Sequence, residues 1–282
     1  MIPCPICVLK AARMLSTRVG QSGRDCNNRP FVLKPVSQSI FEHLQEFRNE
    51  FENHTHLRIH IDQIEKENIV VYEYFKTDLL SLVENYPALP ITMRKTILKE
   101  VGLALAEISM HAKNWIHLDV KPNNFHLEKL ALGDLDCALK LKGERLLNDR
   151  TGNVMWRSPE GQRGKGVGKP SEVFSFALLC LYVITGVQIF DLNFEEVETE
   201  PEVVVYALKK HVNVEKAGGL VTSLWQAIRE NEAYDDLAEW SEDVFPNLND
   251  EANRLILRMT DLNPARRAPL SDTITERYWN VG

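Results

Sequence analysis

The segment His117-Leu118-Asp119-Val120-Lys121-Pro122-Asn123-Asn124 constrains this chain more than any other. It crowds an imidazole, a carboxylate, an ammonium group and two side-chain amides into one short stretch. It follows a long amphipathic segment. The spacing H-x-D-x-K-x-x-N offers a carboxylate that can orient a hydroxyl proton and a lysine that can neutralise negative charge. Three residues after the lysine comes an amide that can hold a metal ion. Alone, the same letters also describe a polar loop after a helix.

The neighbouring segments narrow the choice. From Thr92 to His111, Ile97, Val101, Leu105 and Ile108 fall on one helical stripe, with Thr92 as the expected N-cap and Asn114 as the stop. After the loop, Phe125–Leu127 and Leu130–Leu132 read as a tight hairpin with Glu128 and Lys129 at its tip, leading into Gly133-Asp134-Leu135-Asp136. Upstream, Phe31-Val32-Leu33-Lys34 reads as a short strand. Ser39–Asn53 reads as a helix with Ile40, Phe41, Leu44, Phe47 and Phe51 at helical period. Glu42, Glu46 and Glu50 share one face of it. Leu57–Asp62 and Ile69–Tyr74 read as strands separated by the Glu65–Asn68 turn, and a short helix starts at Asp78.

Downstream, Val173–Phe190 carries no charge and is long enough to raise a membrane span. Ser175, Tyr182, Thr185, Gly186 and Gln188 interrupt it, and its flanks lack a clear basic bias, so a buried core helix is expected. Further helices are expected at Glu202–His211, Val221–Asn231, Asn249–Thr260 and Leu270–Trp279. Glu195–Glu202 reads as a solvated acidic loop, and His211, Trp225 and Trp240 as packing residues.

A chain of 282 residues with 44% hydrophobic and 26% charged content can bury a large core. Its net charge of −7 argues against non-specific nucleic-acid binding, and neither a nucleic-acid nor a membrane partner is expected. Five cysteines do not make a disulfide scaffold. They point to a reducing, intracellular compartment, cytoplasmic or nuclear. Met1–Leu15 does not read as a secretory signal. Residues 1–30 are the hardest to read. Cys4 and Cys7 form a CxxC without a second pair at zinc spacing, and are read as a chance pair, with a zinc or redox site as the alternative. Gly20 and Gly23 fall in a turn between short strands, without a GxGxxG pattern.

In this order the segments resemble the protein kinase superfamily. His117–Asn124 is similar to the catalytic loop, with Leu118 where an arginine is usual. Gly133-Asp134-Leu135-Asp136 is similar to the magnesium-binding motif, with Asp136 in place of glycine. Arg157-Ser158-Pro159-Glu160 is similar to the end of the activation segment, which would run from Lys140. The variant forms look most like divergent kinase-like proteins of filamentous fungi. The resemblance implies an α+β, bilobal protein-kinase-like fold, with a small β-rich N-lobe to about residue 75 and a larger helical C-lobe over 76–282. The kinase-like domain would begin near residue 31, and residues 1–30 would supply the first strands of the N-lobe.

It also implies ATP and Mg²⁺ as cofactors, ATP and a protein substrate as partners, and γ-phosphoryl transfer to Ser/Thr hydroxyls, since Lys121 two residues after Asp119 is the serine/threonine pattern. Asp119 would orient the acceptor hydroxyl and Lys121 would stabilise the moving phosphoryl group. Asn124 and Asp134 would hold the metal, Asp134 being preferred over Asp136 on register with Leu132. Lys34 would grip the phosphates, paired with Glu46 or Glu50. Tyr72 would guard the back of the pocket, and the backbone of Glu73 and Phe75 would meet the adenine edge. Glu160 and Arg267 would form a structural ion pair, and Glu172 would accept hydrogen bonds from the catalytic-loop backbone. A phosphate on Thr151 would lack a dock from the catalytic loop, given Leu118. The alternatives are a pseudokinase or nucleotide-binding scaffold with little or no phosphotransfer, supported by the missing glycine-rich loop and Asp136, and a small-molecule kinase on the same fold.

Overall fold

Two lobes meet along the segment that follows residue 73. The computed structural model describes residues 21–110, 114–143, 145–188 and 240–280. The helices expected at Glu202–His211 and Val221–Asn231, the Cys4/Cys7 pair, Gly20, the Glu195–Glu202 loop, His211 and Trp225 lie outside the described residues.

The small lobe is built on an antiparallel sheet of β1 (Gln21–Arg24), β2 (Pro30–Pro35), β3 (Asp62–Ile64) and β4 (Ile69–Glu73), in the order β1-β2-β4-β3. Alternation along β2 decides which side chains reach which face. Phe31 and Leu33 pack with Ile69 and Val71 in a small cluster on one face. Val32 and Lys34 point the other way, paired in register with Tyr72 and Val70, both part of the main core. Helix α1 (Gln38–Phe51) starts at Ser37, whose Oγ accepts from the Ile40 amide at 3.3 Å. Its buried Phe41, Leu44, Phe47 and Phe51 form the face expected from their spacing. Phe47 meets the Trp115 ring edge-on at 5.0 Å, which ties the small lobe to the large one.

The large lobe is helical: α2 (Leu79–Asn85), α3 (Ile91–Met110), the short α4 (Pro159–Arg163), α5 (Lys169–Thr185), α6 (Asp250–Met259) and the short α7 (Leu270–Thr273). Helix α5 accounts for the uncharged run. Its side chains from Val173 to Ile184 are buried almost without a break, so it needs apolar residues all round. Among the described residues, no helix is long and apolar enough to cross a membrane. Two-residue strands β5 (Trp115–Ile116) and β8 (Leu139–Lys140) pair, as do β6 (Phe125–His126) and β7 (Ala131–Leu132), the expected hairpin.

Three expectations are corrected. Leu57–Asp62 is not one strand: Leu57 bridges to Leu132, and the Arg58 amide donates to the Leu132 carbonyl at 2.8 Å. The backbone there serves the β6–β7 hairpin, and pairing with β4 resumes at Ile61, whose amide donates to Val71. Thr92 is not the cap of α3. The helix begins at Ile91, and the Pro90 carbonyl accepts from Met93 and Arg94. Leu270–Trp279 breaks after Thr273, where the Trp279 indole donates to the Thr273 carbonyl at 2.7 Å and folds the chain back as a 3₁₀ turn. By contrast, the expected Asn249–Thr260 segment forms α6, with Asn249 capping the Ala252 amide at 2.9 Å.

Candidate active site

Helix α3 and β5 lead directly into the loop at His117. His117 is fully buried and acts as its keystone. Its Nδ1 accepts from the Asp119 amide at 3.2 Å, so the ring proton sits on Nε2, which donates to the Gly133 carbonyl at 2.9 Å. Burial, chiefly, pushes the His117 pKa down and keeps this ring neutral. One imidazole thus links the loop carrying Asp119 to the one carrying Asp134.

The Asp119 carboxylate is buried and held on three sides. Lys121 Nζ lies 2.7 Å from Oδ2, Asn124 Nδ2 donates to the same oxygen at 3.0 Å, and the Asn153 amide donates to Oδ1 at 2.8 Å. Asn124 Nδ2 also reaches the Asp119 carbonyl at 2.9 Å, which commits its amino end and leaves Oδ1 as its acceptor. Asn124 sits in a 3₁₀ turn (Pro122–Asn124), with Pro122 opening it.

Lys34 reaches this cluster from the small lobe. Its Nζ lies 2.6 Å from Asp134 Oδ1 and 2.9 Å from Asp136 Oδ2. Burial works against the charge on Lys34, but Asp134 and then Asp136 outweigh it and raise the lysine pKa. At Asp134, burial again opposes the charge, and Lys34, helped by Lys121, holds the carboxyl below its ordinary value. Asp134 takes left-handed backbone angles (φ 55, ψ 59), rare for a non-glycine residue but more accessible to aspartate than to most.

The pairing expected between Lys34 and Glu46 or Glu50 is not formed. Glu50 accepts from the Trp115 indole at 2.8 Å and from Lys140, and Glu46 faces Lys140 at 3.9 Å. The physical reason is local supply: Asp136, where a glycine was expected, gives Lys34 a second carboxylate. Lys140 and the indole give Glu50 its own partners. Asp136 Oδ1 is buried with no hydrogen-bond partner, so this second carboxylate is only half satisfied.

Asn124 Oδ1 and the Asp134 carboxylate are hard oxygen donors on the two loops joined by His117, a donor type that fits Mg²⁺. The segment joining the lobes is gripped by the β6–β7 tip: Glu128 Oε1 accepts from the Lys76 amide at 2.5 Å and the Thr77 amide at 2.9 Å, and Lys129 pairs with Glu73 at 2.5 Å.

A family model described as "Protein kinase domain" matches residues 23–279. The chain belongs to the protein kinase domain family. It is 28% identical over 191 residues to a serine/threonine-protein kinase/receptor of Acanthamoeba polyphaga mimivirus, covering 63% of this chain and 12% of that protein. It is 27% identical over 176 residues to U-box domain-containing protein 35 of Arabidopsis thaliana, covering 55% and 21%. It is 24% identical over 202 residues to the RAF proto-oncogene serine/threonine-protein kinase of Xenopus laevis, covering 64% and 32%. The matched part is thus a third or less of each relative's own length.

In this kinase domain the loop at His117 is fixed from behind by Glu172 on α5. Its Oε1 accepts from the His117 amide and from the Leu118 backbone, while Oε2 is buried without a partner. Burial raises its pKa to about 8, more than those two hydrogen bonds offset. A raised carboxyl pKa stabilises the folded state below the unfolded value, near 4.5. That contribution falls as the unfolded carboxyl ionises first, and is lost once pH has risen through about 8. Glu172→Gln is expected to remove this slope, which amounts to on the order of 3–5 kcal/mol across the window. Urea melts between pH 5 and 9 measure it, and a variant profile that still falls as steeply as wild type would rule Glu172 out as the source.

Glu160 in α4 and Arg267 form a two-pronged buried pair at 2.5 and 2.9 Å. Ser171 Oγ adds a hydrogen bond to Glu160 at 2.7 Å, and Arg267 also donates to the Asp261 and Pro170 carbonyls. Burial opposes the charge on Glu160, but Arg267 outweighs it and keeps the carboxyl below its ordinary range.

Sequence reasoning missed three parts of the site. Gly152 lies against the Leu118 carbonyl. Arg157 donates to the Thr151 and Gly152 carbonyls. Arg58 reaches the end of β4. The glycine carries no pattern beyond its type, and Arg157 was read only as the first residue of the Arg-Ser-Pro-Glu motif, without its hold on residues 151 and 152. Arg58 was hidden inside an apolar run that read as strand.

Proposed function

We propose that this kinase domain transfers the γ-phosphoryl group of ATP to serine or threonine hydroxyls with Mg²⁺. The observation that carries the reading is the meeting of Lys34 from one lobe with Asp134 from the other at 2.6 Å, beside the bonded unit of Asp119, Lys121 and Asn124. Those groups have the charges the transfer needs. Lys34 and Lys121 supply positive charge to the phosphates, and Asp119 holds a hydroxyl in line and receives its proton. Bound Mg²⁺ would neutralise phosphate charge, and Asn124 Oδ1 and Asp134 are the donors that would hold it. The backbone of Glu73 and Phe75 would read the base edge. Lys121 two residues after Asp119 resembles the serine/threonine pattern and favours Ser/Thr over Tyr.

A second reading, a nucleotide-binding scaffold with little transfer, is favoured by the double hold of Asp134 and Asp136 on Lys34, which occupies the ammonium that would meet phosphate. Incubation with labelled ATP, Mg²⁺ and a basic acceptor protein separates the two. Wild type is expected to label the acceptor on Ser/Thr, and Asp119→Asn to lower the rate by about 10²–10⁴-fold while still binding Mg·ATP. Labelling untouched by that substitution would reject Asp119. A Mg·ATP thermal shift without any labelling would favour the scaffold.

A further inference from the structure

Arg58 leaves the segment between α1 and β3 and crosses the face of Gly133. A Cβ on Gly133 would stand 3.2 Å from Arg58 Cδ and 3.1 Å from the His126 ring, so glycine there makes room for both. The guanidinium comes to rest at the end of β4. Nη2 donates to the Glu73 carbonyl at 2.7 Å, and Nη1 lies 3.0 Å from His126 Nε2. Its carbon lies 5.2 Å from the Tyr72 ring centre and 5.0 Å from that of Phe75. Burial, with Arg58 second, pushes the His126 pKa down to about 4, so the ring stays neutral and Nε2 can accept from Nη1. Arg58 Nε is buried with no partner. A buried cation with one N–H unmet is an expensive way merely to fill space.

A planar group beside Phe75 that donates N–H to the Glu73 carbonyl is a description of the amino edge of adenine. We propose that Arg58 occupies the base-reading position from within the chain, so that the resting protein does not recognise adenine through its 6-amino group. This rests on the nucleotide reading above. Arg58 is bonded to Glu73 and His126 and not to Lys34 or Asp134, although it feels the Asp134 charge, so on this proposal it lowers base recognition and leaves the phosphates to Lys34. Replacing it with leucine, which has no N–H, returns the Glu73 carbonyl to an incoming base.

The test uses the intact chain, wild type and Arg58→Leu, with Mg·ATP, Mg·ITP and Mg·tripolyphosphate, read by calorimetry. ITP differs from ATP in carrying an oxo group in place of the 6-amino group. Wild type is expected to bind ATP and ITP within about threefold of each other. Arg58→Leu is expected to tighten ATP by about tenfold or more and leave ITP and tripolyphosphate within about threefold. A wild type that already prefers ATP by tenfold, an Arg58→Leu variant with unchanged ATP affinity, or equal tightening of ATP and ITP each overturns the proposal while the nucleotide reading stands. Binding of none of the three ligands by either protein overturns both together. Should the leucine variant fail to melt cooperatively, Arg58→Lys keeps the cation and loses the forked donor. The ATP-to-ITP ratio is then expected to rise at least threefold, and an unchanged ratio counts against Arg58.

Discussion

Gly152→Ala is expected to damage both stability and phosphoryl transfer more than a methyl group added at any other described glycine of this kinase domain. A Cβ at this position would lie 1.9 Å from the Leu118 carbonyl oxygen and 3.3 Å from the Asp119 Cα, with backbone on both sides and no flexible side chain to move aside. The residue also sits at φ +81, where a side chain is disfavoured whatever the space. Relief requires either segment to shift by about an ångström. Both are pinned: Glu172 holds the amides of His117 and Leu118, and Arg157 holds the carbonyls of Thr151 and Gly152. The expected cost is on the order of 3–5 kcal/mol. The next residue, Asn153, donates its amide to Asp119, so the same shift moves the carboxylate at the centre of the proposed chemistry. Transfer is expected to fall about 10²-fold beyond any loss of folded protein. Urea melts and transfer rates normalised to folded fraction measure the two effects. A variant within about 0.5 kcal/mol of wild type would mean that the loops are free to part.

Arg267→Met is expected to cost about 3–5 kcal/mol, because it strands the Glu160 carboxylate in a site with 7% exposure. Ser171 would remain as a partner, but one hydroxyl does not replace a forked guanidinium. The strain has an acid outlet. Glu160 is held below its ordinary pKa by Arg267, so in wild type its contribution is present above the unfolded value and lost as pH falls through the folded one. Without the arginine the buried carboxyl prefers its proton, and the deficit relative to wild type is expected to shrink toward low pH. Glu160→Met combined with Arg267→Met is expected to recover part of the loss, since an apolar pair leaves no charge unmatched. Melts of the single and double variants at pH 4 and 7 give the comparison. A single variant as stable as wild type at pH 7 would show that water reaches Glu160.

The parts of this chain that follow from local chemistry were legible in the letters. The short apolar run Phe31–Lys34 marked β2, and the Phe41/Leu44/Phe47/Phe51 spacing placed α1. The absence of charge from Val173 onward marked the central helix. The order of the motifs gave the two-lobed fold. The errors concern partners chosen from several of the same kind. Three glutamates on α1 and two aspartates around Leu135 all suited a lysine, and no spacing rule says that Lys34 takes both aspartates while Glu50 takes Lys140. Arg58 shows the other limit. In Leu-Arg-Ile-His-Ile the arginine looks like the outward member of an alternating strand. Only the tertiary bond between its backbone and Leu132 takes that segment out of the sheet and turns the guanidinium inward.

The clasp of Glu128 on two consecutive amides limits how the molecule can flex. With residues 76 and 77 fastened to the hairpin and residue 73 still in β4, the connection between the lobes bends at Tyr74 and Phe75, while the Leu57–Arg58 backbone bonded to the same hairpin holds them at a second point. A swivel only two residues long turns about a nearly fixed axis rather than wandering. The two halves should therefore swing apart like covers on a narrow spine, and a proline at residue 74 should stiffen that swing.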